Sequence, residues 1–147
     1  WPDYTQSPDD SREFIRKCVF EYAHQQTMAC GIWYGSRFAG GMGAHLDCAN
    51  RTASVGYWID HDLEGKGIVI RATEAMIRYL FAHWACNRIE IRCATENTRS
   101  RAIPERLGFR NEGTLRSAFL LRDRVLDIVV YSMLRAEWDA ATARGPE

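Results

Sequence analysis

Apolar residues recur at Phe14, Ile15, Cys18, Val19 and Tyr22, the three- and four-residue spacing of a helix with one buried stripe. Its start is marked by Ser7 as N-cap, Pro8 at the first helical position, and Asp9 and Asp10 at the positive end of the dipole. From Met28 the pattern becomes that of strands. Residues 28–34 run to a Gly35-Ser36 turn and residues 37–46 return, which predicts a hairpin. A polar loop, 47–51, leads into a third strand over 52–60.

A glycine-containing loop then precedes a long helix ending near Ala85, with Ile68, Ala72, Ala75, Met76, Tyr79, Leu80 and His83 expected on its buried face. Glu74 and Arg78 form an exposed pair one turn apart. In the next strand, 88–95, Ile89, Ile91 and Cys93 alternate with Arg88, Glu90 and Arg92. This β-loop-α-β unit predicts two parallel strands. A short helix over 100–107, stopped by Gly108, leads to strands near 114–121 and 125–134, joined by a turn at Arg122-Asp123-Arg124. The tail after Trp138 reads as frayed. No linker or repeat divides the chain, so residues 1–147 are expected to form one mixed α/β domain with a mostly antiparallel sheet and one central parallel crossover.

Composition narrows the class. With 147 residues, 46% of them hydrophobic, the chain can bury a core, so disorder is excluded. Nineteen basic residues balance nineteen acidic ones, which argues against a nucleic-acid module. No apolar run approaches the ~18 residues of a membrane span. Five cysteines, an odd number with no Cys-x-x-Cys, point to a reducing compartment and so to the cytoplasm.

Two segments carry candidate chemistry. Gly65-Lys66-Gly67 lets the main chain turn sharply with its N–H groups exposed at the start of a helix, an arrangement that holds phosphate or is an ordinary turn. Lysine occurs only twice, at Lys17 and Lys66. The loop is neither a P-loop nor a Rossmann fingerprint, because neither glycine spacing is present. Further on, Asn97 and Ser100 stand where a strand ends and a helix begins, and both can cap. Pro104 has no N–H, so the Ser100 carbonyl loses its helical partner. That leaves the backbone open at the carboxyl end of a parallel strand, where ligands commonly enter α/β sheets.

Gly56-Tyr57-Trp58-Ile59, Glu64-Gly65-Lys66-Gly67-Ile68-Val69, Asn97-Thr98-Arg99-Ser100-Arg101-Ala102 and Arg106-Leu107-Gly108-Phe109 resemble, in order and spacing, the GNAT superfamily of N-acetyltransferases. Gly-Tyr-Trp, Gly-Lys-Gly-Ile, Asn-x-x-Ser-Arg-Ala and Val130-Tyr131 through Glu137-Trp138 resemble its RimJ/RimL branch, the ribosomal-protein N-terminal acetyltransferases and their relatives. The likeness runs from Trp1-Pro2 to Trp138. That family begins with a further strand and helix, so the chain is expected to be truncated at its N-terminus relative to it.

The resemblance implies acetyl-CoA as cosubstrate and no metal. It places the pantetheine arm along Tyr57, Trp58 and Ile59, where two parallel strands splay. The pyrophosphate would meet the backbone of Gly65, Lys66, Gly67, Ile68, Val69 and Ile70. Asn97 would contact the coenzyme arm and assist catalysis, with Ser100 beside the thioester sulfur. Glu64 and Val69 depart from the family's glycine-loop pattern. Many relatives place a general-acid Tyr where Pro104 stands, so Ser100 inherits that role. Phe119 occupies the place of a proposed general base and cannot take a proton.

The expected reaction is direct attack of a primary amine on the thioester. An α-amine, with a pKa near ~7.7–8.0, is about a tenth neutral at pH 7, whereas a lysine amine at about 10.4 is neutral less than one time in ~1,000. This favours a protein or peptide N-terminus as acceptor. A polyamine or aminoglycoside is the enzymatic alternative, and a CoA-binding sensor without turnover is the non-enzymatic one. His45 and Asp127 are candidates for lining the acceptor cleft. His45/Cys48 and His83/Cys86 have a spacing that zinc can use, but a helix C-terminus already favours a cation at His83. Trp33, Trp58 and Trp84 are read as core. A homodimer is left open.

Overall fold

The computed structural model describes residues 6–143; the Trp1-Pro2 opening of the motif series lies outside them. Helix α1 spans Pro8–Ala23. Its start is a closed capping box: Ser7 Oγ accepts the Asp10 N–H at 3.2 Å, while Asp10 Oδ2 accepts the Ser7 N–H at 2.8 Å. Strands β1 (Thr27–Tyr34), β2 (Arg37–Asp47) and β3 (Thr52–Ile59) follow, then helix α2 (Ile68–His83) and strand β4 (Arg88–Ala94). Helix α3 (Thr98–Arg106), strands β5 (Arg110–Leu121) and β6 (Arg124–Leu134), and helix α4 (Arg135–Ala143) complete the order.

The six strands form one sheet ordered β1-β2-β3-β4-β6-β5. Every neighbouring pair is antiparallel except β3–β4, as the crossover requires. That parallel pairing is short: Thr52 to Val55 lie opposite Arg88 to Ile91, and the register ends there. Gly56 to Ile59 therefore have no partner on the β4 side, although on the other side they pair with Gly43 to Gly40 of β2. The sheet splays at its centre.

One face of the sheet carries the core. Ala53, Val55, Ile89, Ile91 and Cys93 pack against Ile68, Met76, Ile77, Leu80 and Phe81 of α2. The α2 face is rotated from the expected one: Thr73 and Ile77 are buried, whereas Ala75, Tyr79 and His83 are exposed. Met76-Ile77 and Leu80-Phe81 offer two overlapping stripes, and the sheet takes the one that leaves the polar ends of Tyr79 and His83 in water. The tail is a helix rather than a frayed end. Trp138 is buried with its ring 6.2 Å from that of Phe81, and Glu137 Oε2 accepts the Leu134 N–H at 2.9 Å at the helix start.

Helix α1 lies on the opposite face, and here the expected burial fails. No α1 residue is buried; Ile15, Val19 and Phe20 are each more than half exposed. The helix touches the sheet mainly through β1, along an edge that covers only one flank of its stripe. All five cysteines are free, and no helix among the described residues is long and apolar enough to cross a membrane.

Candidate active site

The centre of the sheet is where the sequence placed its two chemical segments, and the structure brings them together. Tyr57, in the unpaired part of β3, points to the α3 face and donates its hydroxyl proton to the Ser100 carbonyl at 3.0 Å. This is the carbonyl that Pro104 leaves without a helical donor. Burial pushes the Tyr57 phenol well above its ordinary range, so it stays protonated and remains a donor. The Ser100 hydroxyl lies 3.3 Å from the Cys93 thiol, whose ionisation burial also disfavours. Asn97 is the N-cap of α3, its Oδ1 accepting the Ser100 N–H at 3.0 Å.

The loop above this point leaves its main-chain donors open. Gly65 and Gly67 both have positive φ, 74° and 69°, and Gly67 is the N-cap of α2 with no side chain capping the helix. No acidic residue sits in the first turn, unlike α1 with Asp9 and Asp10. The first-turn N–H groups of Ile68, Val69 and Ile70 thus project from a helix start without an internal acceptor. Lys66 and Arg71 flank them with no carboxylate within ion-pair distance among the described residues; the Lys66 ammonium stands 6.0 Å from the Tyr34 ring. Asp60 and Asp62 are turned away, both held by Arg37. This donor set fits a diphosphate.

The other face of the splay differs. Trp58 points away from Tyr57 and joins Phe38 and Trp33 in an edge-to-face row, with ring centroids 5.8 and 5.4 Å apart. These tryptophans are not core: Trp33 is 62% and Trp58 43% exposed, while Trp84 is half-buried. Gly41 is required beneath the row, because a Cβ there would lie 2.6 Å from the Trp58 indole nitrogen. Beside the row a groove of about 370 Å³ runs between α1 and the sheet, lined by Phe14, Cys18, Glu21, Gly43, His45, Ser54, Gly56 and Arg92 among others.

His45 is in that groove, but Asp127 is not. His45 pairs with Ser54, and the row continues through Glu90 to Ser132. Asp127 is five residues along β6 from Ser132, roughly 17 Å at strand rise. Its carboxylate accepts the Ser117 N–H at 2.7 Å and its carbonyl accepts the Thr95 N–H at 3.0 Å, so it pins the β5 irregularity and the end of β4. Phe119 is exposed on the same edge hairpin. Among the described residues no group of three or more His, Cys, Asp or Glu side chains is placed to hold a metal ion.

Sequence reasoning missed several contacts. Arg101 Nε donates to the Tyr131 hydroxyl at 3.0 Å, and Tyr131, fully buried, donates to Glu105 Oε1 at 2.6 Å. This ties α3 to β6 and keeps Ser100 in place. The Arg99 guanidinium also pairs with Glu64 across the mouth of the splay. The departure at Glu64 was the one available signal for that pair.

Comparison with known proteins agrees with this architecture. The acetyltransferase (GNAT) domain family matches residues 1–110. A putative ribosomal N-acetyltransferase, YdaF of Bacillus subtilis, is 39% identical over 145 residues, spanning 95% of this chain and 79% of that protein. The ribosomal-protein-serine acetyltransferase of Escherichia coli is 28% identical over 135 residues, covering 91% and 75% of the two chains. Among solved structures, the microcin C7 self-immunity acetyltransferase MccE, in complex with acetyl-CoA and AMP, superposes with a TM-score of 0.86 at 32% identity over 91% of this chain and 75% of that one. A six-stranded sheet parted at its one parallel seam, an uncapped helix beside the gap and these relatives agree: the chain belongs to the GNAT acetyltransferases, in the company of the RimJ/RimL-like ribosomal-protein enzymes.

Proposed function

We propose that the chain transfers the acetyl group of acetyl-CoA to the α-amine at a protein or peptide N-terminus, in the cytoplasm. The observation that carries this reading is the early end of the β3–β4 pairing after Val55 and Ile91, with an uncapped helix start at Gly67 beside it. Gly56 to Ile59 then offer main-chain donors and acceptors to an extended arm, while the amides of 65–70 take its diphosphate. The named binding set is Tyr57, Trp58, Ile59, Gly65, Lys66, Gly67, Ile68, Val69, Ile70, Asn97 and Ser100.

When bound, the coenzyme supplies an activated acyl group on a thiol that leaves readily. The chain supplies position and polarity. A backbone N–H in the Tyr57–Ile59 stretch donates to the carbonyl oxygen as charge develops on it, the larger catalytic effect in acyl transfer. The Ser100 hydroxyl, beside Cys93, relays a proton to the departing sulfur and is reprotonated through water by the proton that the attacking amine gives up. The acceptor comes from the α1 face, past Trp58 and the His45 groove, so the two substrates approach the gap from opposite sides. An α-amine is neutral often enough near pH 7 for water to carry off its proton, which offsets the want of a base at Phe119.

Release of free thiol from acetyl-CoA, followed across peptides with free N-termini, polyamines and aminoglycosides, tests the proposal. N-terminal peptides are expected to give turnover. Tight coenzyme binding with no thiol release above background hydrolysis would overturn it in favour of a sensor.

A further inference from the structure

We infer that Arg99 is a phosphate-binding residue of the coenzyme site and that Glu64 holds it until the coenzyme arrives. The inference rests on the acetyl-CoA reading above. Glu64 ends the short 3-10 turn His61–Leu63 after β3, at the opening of the glycine loop; Arg99 is in the first turn of α3, after β4. The two therefore stand on opposite lips of the splay, and their ion pair crosses its mouth. The Tyr57–Ser100 hydrogen bond crosses the same gap deeper in.

Charge around the mouth makes this pair a competitor for the ligand. Lys66, Arg71 and Arg99 are its cations, and Glu64 is the one carboxylate among the described residues near the loop that Arg37 does not hold. A diphosphate seated on the amides of 65–70 would lie between the loop and α3, with Arg99 the facing cation. Glu64 in its present place would meet that ligand charge to charge. Exchange removes the conflict: the phosphate takes Arg99, and Glu64, released from it, swings out of the mouth toward water. Arg99 is mostly exposed, so it moves freely, and an exposed pair costs little to open.

Calorimetric titration with coenzyme A separates this from its alternatives. Glu64→Gln is expected to tighten binding about two- to fivefold, the worth of one exposed ion pair. Arg99→Gln is expected to weaken binding by at least as much and to flatten its salt dependence. In the Arg99→Gln background the gain from Glu64→Gln should be clearly smaller, because no cation remains to be freed and only the direct repulsion is relieved. An equal gain in both backgrounds would mean that Glu64 merely repels the phosphate, and the inference fails. It fails too if Arg99→Gln binds as the wild type does. Wild-type protein that does not bind coenzyme A at all overturns the acetyl-CoA reading itself and this inference with it. Arg99 lies at the surface and Glu64 is partly exposed, and thermal melts without ligand should show that both variants stay folded.

Discussion

The Tyr57 hydroxyl and the Ser100 carbonyl meet at 3.0 Å across the central gap of the sheet, supplying from a strand the hydrogen bond that Pro104 denies within the helix. The two departures from regular structure, a strand that stops pairing and a helix with a proline inside, are thus matched to each other. Removing one side of the match should expose the other.

Tyr57→Phe leaves a partly buried carbonyl without its donor and is expected to cost about 1–3 kcal/mol in urea unfolding. Pro104→Ala restores the N–H at position 104. In that background the Tyr57→Phe cost should shrink by about 1 kcal/mol, the net worth of one hydrogen bond. An undiminished cost would show that the phenol contributes through packing alone.

On the proposed mechanism, Ser100→Ala is expected to lower kcat more than it weakens coenzyme binding, because the hydroxyl beside Cys93 would serve the leaving sulfur while the Ser100 N–H is held by Asn97. Steady-state kinetics combined with direct titration distinguishes the roles. Equal losses in both quantities would make Ser100 a positioning residue.

Gly67→Ala places a Cβ on a left-handed residue, 3.2 Å from the Arg71 guanidinium. The backbone penalty is about 1–2 kcal/mol. For the wild type, coenzyme A at a hundred times its Kd should add ~2.7 kcal/mol of stability, and the variant should show a clearly smaller increment at the same ligand concentration. Identical thermal shifts in the two proteins would remove the loop from the binding site.

Trp58→Ala is expected to raise KM for the acceptor several-fold while coenzyme affinity stays within about twofold, since its ring lies on the face opposite Tyr57. A matching loss of coenzyme affinity would place the indole on the wrong side.

Acid stability should reflect Glu112. The Arg88 guanidinium and the Ser132 hydroxyl hold its carboxyl down at about 2, and Glu90, despite partial burial, is also kept low by Arg88 and Arg92. A depressed carboxylate contributes its stability above its unfolded pKa of about 4.3 and loses it as pH falls toward the folded value. Stability should therefore be level above pH 5 and decline between about 4.3 and 2. In Arg88→Gln that decline should be shallower, because the carboxyl titrates closer to its ordinary value, and the stability at neutral pH should be lower.

Local signals in the chain were legible where chemistry is local. The Ser7 cap, the Gly35-Ser36 turn, the alternation of Ile89, Ile91 and Cys93, and the missing N–H of Pro104 each act within a few residues, and each appears as read. What escaped depends on partners distant in sequence. Periodicity shows which side of α1 is apolar, not whether anything covers it, and Ile15, Val19 and Phe20 are left open. Hydropathy treats Trp33, Trp58 and Trp138 alike, yet only Trp138 meets a ring that buries it. His45 and Asp127 suit an amine equally as residue types; only strand order shows how far apart they are.

The four-residue seam between β3 and β4 divides the sheet into two three-stranded halves. A molecule filling the opening above that seam touches both halves, so it is a fastener as well as a reactant. Amides bordering the gap should therefore be the first in the sheet to slow their hydrogen exchange when coenzyme is added.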